Sequence, residues 1–216
     1  MARYEIKPPI DPRDRAIDLA LLAYILKGAA PFYGRTKLQK TTFLSELSLR
    51  DRHLVGPRFE FYRWNNGPFS QQLWAAYDLL HTKGFAHAPV EPGLTRRGRE
   101  LSELVTELKR EDENRAFFRI LDSVLEQCKH KTGEQLLNDV YEMEVRPESS
   151  GKKMKVRDIP KNVKIIVPPN QTSLKVAHDL EKLILQELEI TEEGIRRAEE
   201  KELPALVAGF LRRVAT

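Results

Sequence analysis

The chain has 216 residues, 41% of them hydrophobic and 31% charged, a composition that excludes a disordered or membrane-embedded chain and suits one large domain or two small ones. The longest apolar run, Leu19 to Leu26, is too short to span a bilayer, the first residues lack the apolar stretch of a secretory signal, and the single cysteine, Cys128, excludes an internal disulfide. These features point to the reducing cytoplasm. Charge is uneven: residues 1–110 hold 18 Lys/Arg against 12 Asp/Glu, whereas residues 111–216 hold 18 against 20. The basic first half is either a surface that attracts a polyanion or ordinary surface charge.

In chain order, Pro8, Pro9 and Pro12 predict an extended arm. Asp14 is positioned to cap a helix over 15–28, with Ile17, Leu21, Tyr24 and Ile25 near one face and Gly28 and Pro31 marking its end. Thr36 is positioned to cap a second helix over 37–52, in which Lys37, Lys40, Arg50 and Arg52 are expected to be solvated. Phe59, Phe61 and Arg63 alternate with Glu60 and Tyr62, the period of a short strand. Asn65-Asn66-Gly67-Pro68 then reads as a turn, and Ser70 as the N-cap of a helix over 71–83 ended by Gly84. Phe85 to Leu94 reads as an irregular hairpin, and Thr95 caps the next helix, which runs to about Lys109. Helices are expected over 112–130 and 133–144, then a linker with a candidate strand at Val163–Val167. Further helices are expected over 173–189, from Thr191, and from Pro204.

The cue Leu79-Leu80-x-x-x-Gly84-Phe85, followed by Leu94-Thr95-x-x-Gly98-Arg99-Glu100-Leu101, resembles the wing of winged-helix proteins. A generic helix–hairpin–helix would use the same residues. A more specific likeness joins Lys37-Leu38-x-Lys40-x-x-Phe43-Leu44 to Phe59-x-Phe61-x-x-Trp64-x-x-Gly67-Pro68-Phe69-Ser70-x-x-Leu73. Together with Leu136-Leu137-x-x-Val140-Tyr141, this resembles the Panacea (SocA-like, phage GepA-like) domain over residues 15 to about 145. It departs from that pattern at Thr41-Thr42, where the family prefers Leu-Leu, and residues 146–216 have no counterpart in it. The resemblance implies an antitoxin or adaptor module that acts by binding a partner protein, such as a toxin. The Gly67-Pro68-Phe69-Ser70 turn also has a purely structural explanation, since Pro68 fixes φ and Ser70 satisfies free N–H groups.

Duplex DNA is the alternative partner, bound by a dimeric winged-helix regulator. The outer side of the 71–83 helix offers Gln71 and Gln72 for base edges, but Lys83 is its one clear cation and Asp78 opposes phosphate. Better phosphate candidates are Arg35, Lys37, Lys40, Arg63, Arg96, Arg97 and Arg99; the bland reading is a solvated helix face with Arg63 stacked on an aromatic. Cys128-x-His130 is the closest soft-ligand pair and lacks a second pair, and no phosphate-cradling glycine motif or nucleophile elbow is present, so neither enzyme activity, metal nor cofactor is expected.

The expected architecture is therefore mainly α with a small β-hairpin. A winged-helix-like, Panacea-like domain (1–110) continues into a helical extension (111–145), a linker with a short strand (146–172) and C-terminal helices (173–216). Leu180, Ile184 and Leu188, with Leu206, Phe210 and Leu211, would either complete the chain's own core or form a homodimer seam.

Overall fold

In the computed structural model, residues 12–148, 150–169 and 171–188 are described. The first helix, α1 (Pro12–Gly28), sits at the centre of the fold. Every residue from Ala16 to Leu26 is buried, which is what an apolar run with no polar face requires. The expectation of one buried face is thereby corrected: Leu19, Leu22 and Leu26 are as fully buried as Leu21 and Ile25. The helix begins at Pro12, where a missing N–H costs nothing, and Asp14 lies within its first turn rather than capping it.

Around α1 pack α2 (Arg35–Arg50), α3 (Gln71–Thr82), α4 (Arg96–Leu108), α5 (Arg115–Lys129) and α7 (His178–Leu188). The remaining helix, α6 (Gly133–Glu142), lies against α2. Local chemistry explains several ends. Ser70 accepts a bond from Leu73 N, Thr95 from Gly98 N, and Thr132 forms a full capping box with Gln135. Gly84 has φ +79°, and the Gly84 N–H to His81 O and Phe85 N–H to Leu80 O bonds complete a Schellman end to α3. At α2 the expected Thr36 cap is replaced by Gly34, which offers no side-chain cap.

A small antiparallel sheet has the order β2–β1–β5, with β1 Phe61–Trp64, β2 Gly67–Phe69 and β5 Lys164–Ile166. The Asn65-Asn66 turn pairs Trp64 with Gly67 and Tyr62 with Phe69, so the expected turn is the tip of a hairpin. A separate ribbon pairs β3 (Glu144–Val145) with β4 (Met154–Lys155). The stretch 146–172 is thus bound to the rest of the chain rather than extended as a linker, with Val156, Ile159, Ile165 and Ile166 buried.

The last described helix starts at His178, not at residue 173. Ser173 instead exchanges bonds with Val55, and Asn114 holds Lys175 through both its side-chain oxygen and its amide. Residues 173–177 are therefore fixed outside the helix. The expected helices from Thr191 and Pro204 fall outside the described residues. One buried apolar cluster runs from Ala16 to Leu188, and Ile184 and Leu188 complete it instead of facing outward. Among the described residues no helix is long and apolar enough to cross a membrane.

A charged cluster is built into this core. Arg58 reaches Asp14 at 2.6 Å and Asp18 at 3.2 Å, and Glu46, also buried, lies 3.4 Å from Phe59 N. Burial outweighs Arg58 and lifts Asp18 to about 6; burial and the Asp18 charge push Glu46 well above the usual carboxylate range. The folded chain thus keeps protons that the unfolded chain has released. Stability should fall as pH rises from about 4 through 6 for Asp18, and further for Glu46. Glu46→Gln keeps the acceptor and removes the titration, so it should raise stability at pH 8 by about 1–3 kcal/mol and by less at pH 5. Urea unfolding at both pH values checks this, and an equal gain at both would refute it.

Candidate interaction site

The first turns of α2, the β1–β2 hairpin and the start of α3 meet around a cleft of about 290 Å³. Its walls are Trp64, Phe69 and Trp74, and Arg35 and Lys40 supply its charge. The hairpin sets Trp64 beside Gly67, whose φ of +80° suits a residue without Cβ. Space gives a second reason for that glycine, because a Cβ there would lie 3.1 Å from Leu137 and 3.4 Å from the Lys40 amine.

Polar side chains from α2 anchor the hairpin. Gln39 donates to Ser70 O and accepts from Ser70 N, both at 2.9 Å, so one amide closes both backbone groups of the α3 cap. Lys40 donates to Pro68 O at 2.7 Å. Burial, and then the charge of Arg63, lowers Lys40 to about 7. The walls are held too: Tyr62 meets Trp64 and Phe69 edge-on, and Trp74 meets Tyr77 edge-on.

The nine expected contact residues separate sharply. Lys37 and Lys40, expected on the solvated face, are 2% and 3% exposed. Lys37 donates to Pro31 O and Lys129 O, tying the start of α2 to the end of α5. That work holds the two helices together and leaves its charge inside. Arg63 is buried as well, donating to Val156 O and Trp64 O and lying 5.0 Å over the Tyr141 ring. Gln72 accepts from Glu60 N, while Gln71 is exposed.

Beyond α3, Tyr77 ties down the 85–95 loop through His87 O and Gly93 N, and an Ala86–Leu94 bridge closes it. Next to that loop, Arg97 lies 4.4 Å over Phe85 and binds both the side chain and the backbone of Glu187. Arg96 pairs with Glu100 on the surface, and Arg99 is exposed. Arg35 alone of the nine combines exposure with a place in the cleft, its guanidinium 5.1 Å over the Trp74 ring.

The structure therefore joins Arg35, Lys40, Trp64 and Gly67, with Pro68 and Ser70 behind them, and holds Arg96, Arg97 and Arg99 apart on α4. The sequence analysis gives neither Trp74 nor Phe69 a contact role. The signal for Phe69 is its spacing from Trp64, which the hairpin register turns into proximity, whereas the place of Trp74 depends on how α3 leaves the hairpin. Cys128 is buried, His130 is exposed, and among the described residues no group of three or more His, Cys, Asp or Glu could hold a metal ion. No family model, curated protein or solved structure matches the chain.

Proposed function

We propose that this chain is a non-enzymatic protein-binding module of the antitoxin or adaptor kind, and that its partner docks on the Trp64–Phe69–Trp74 cleft. α2, the β1–β2 hairpin, α3, the 85–95 loop and α4 then form a winged-helix-like platform for contact. The observation that carries this reading is the exposed Arg35 guanidinium over Trp74 at the mouth of the cleft. Tryptophan and arginine are enriched among the few residues that dominate binding energy in protein interfaces. Internal hydrogen bonds hold the surroundings of these rings, so little order remains to be lost on association.

The competing reading, a dimeric winged-helix regulator on duplex DNA, needs a dense set of phosphate contacts. Lys37, Lys40 and Arg63 spend their donors on backbone carbonyls, and Arg97 is committed to Glu187. Arg96 and Arg99 are then left near the 85–95 loop. The test is capture from the native host with wild type, Trp74→Ala, and Arg96→Ala/Arg99→Ala as baits, assaying eluates for protein and DNA. Trp74→Ala should weaken protein capture by about 2 kcal/mol, some thirtyfold, and the double variant should leave it unchanged. DNA recovery that depends on salt and on Arg96 and Arg99 would overturn the proposal.

A further inference from the structure

We infer that the Trp64–Phe69–Trp74 cleft recognises a partner segment in which an aspartate or glutamate adjoins an aliphatic or aromatic side chain. The inference rests on the protein-binding reading above and specifies the chemistry of the anchor. None of the residues lining the cleft is acidic, and Arg35 is its exposed cation. Among the described residues Arg35 has no ion-pair partner, and its guanidinium lies over the face of Trp74. A guanidinium over a ring keeps its N–H edge available, and that planar edge fits a carboxylate with two parallel bonds.

The rest of the cleft sets the rings of Trp64, Phe69 and Trp74 beside the polar side chains of Thr36, Gln39 and Asn66. Its volume of about 290 Å³ lies at the lower end of the range for ligand pockets, about 300–1,000 Å³, and has room for one or two side chains. Tyr33, two residues before Arg35 and 78% exposed, adds an uncovered aromatic next to the start of α2. A phosphate-seeking site would instead gather several free cations, whereas here one free arginine stands among rings. This balance selects a single carboxylate beside an apolar group.

Trp64 and Trp74 are the chain's two tryptophans, so tryptophan emission, excited where tyrosine does not absorb, reports on this cleft. The full chain would be titrated with acetyl-Gly-Gly-Asp-Leu-Gly-Gly-amide, its Asp-Phe counterpart, the matching Asn peptides, and inorganic phosphate. Saturable emission changes are expected for the Asp peptides, with affinity about tenfold above the Asn peptides, the ratio that one charge-assisted hydrogen-bonded contact supplies. Arg35→Gln should erase that ratio while leaving the circular dichroism unchanged, and Arg35→Lys should restore only part of it. Equal affinity for Asp and Asn peptides, saturation by phosphate in preference to peptide, or no saturation by any peptide would each overturn the inference. Native-host capture that needs Trp74 yet is unchanged in Arg35→Gln would overturn the acidic anchor alone and leave the protein-binding reading standing.

Discussion

Gly98→Ala should cost about 3–5 kcal/mol of stability, enough to leave much of the chain unfolded at 37 °C. A Cβ at this position would lie 1.9 Å from Phe85 O and 2.9 Å from Phe85 C, with Leu94 at 3.0 Å on the other side. The obstacle is backbone, which cannot rotate away as a side chain would. Phe85 O is itself fixed by the bond it accepts from Thr95 N, while Thr95 in turn caps α4 through Gly98 N. Accommodating a methyl group therefore means separating the loop from the helix and giving up the cap, worth about 1 kcal/mol by itself. Arg97 over Phe85 and its bonds to Glu187 would shift as well, so α7 should loosen with the loop. Thermal unfolding and hydrogen exchange at residues 85–95 and 178–188 would detect this. An alanine variant that melts with wild type would mean that the approach of Phe85 to Gly98 is not a constraint on the fold.

The same region shows what was legible beforehand. Gly84, Thr95 and Gly98 act through neighbours three to thirteen residues away, as does the Ser70 side chain on Leu73 N, and each is marked by its chemical type near an element boundary. Lys37 and Lys40 were misread because a lysine on a helix is ordinarily solvated. Their acceptors are carbonyls at Pro31, Lys129 and Pro68, and Lys129 lies 92 positions along the chain. Nothing within α2 announces them. β5 was recognised as strand-like, but its partner β1 lies about 100 residues earlier, so its segment read as a linker. The cleft was partly visible for the same reason. Trp64 and Gly67 belong to a short motif, whereas the approach of Arg35 to Trp74 depends on how α2 and α3 are set against each other.

Arg58→Met should be the other severe change, costing about 3–5 kcal/mol at pH 8, the usual penalty for leaving a buried charge without its partner. Arg58 binds Asp18 through its backbone N–H and its Nε, and Asp14 through its side chain. Asp18 is 1% exposed and Glu46 is 4% exposed, so no solvent replaces the guanidinium. Asp18 titrates near 6 with Arg58 in place; without that positive charge it should hold its proton to still higher pH. The penalty should accordingly be smaller at pH 5, where a neutral Asp18 needs no counter-charge, and grow toward pH 8. Asp18→Asn/Arg58→Met should recover part of the loss at pH 8, since neither ion then remains, and the double-mutant cycle measures the pair's coupling. Urea midpoints for the four chains at both pH values decide the matter. A pH-independent penalty, or losses in the two single variants that simply add in the double, would show that Arg58 stabilises the core by packing rather than by neutralising the carboxylates around it.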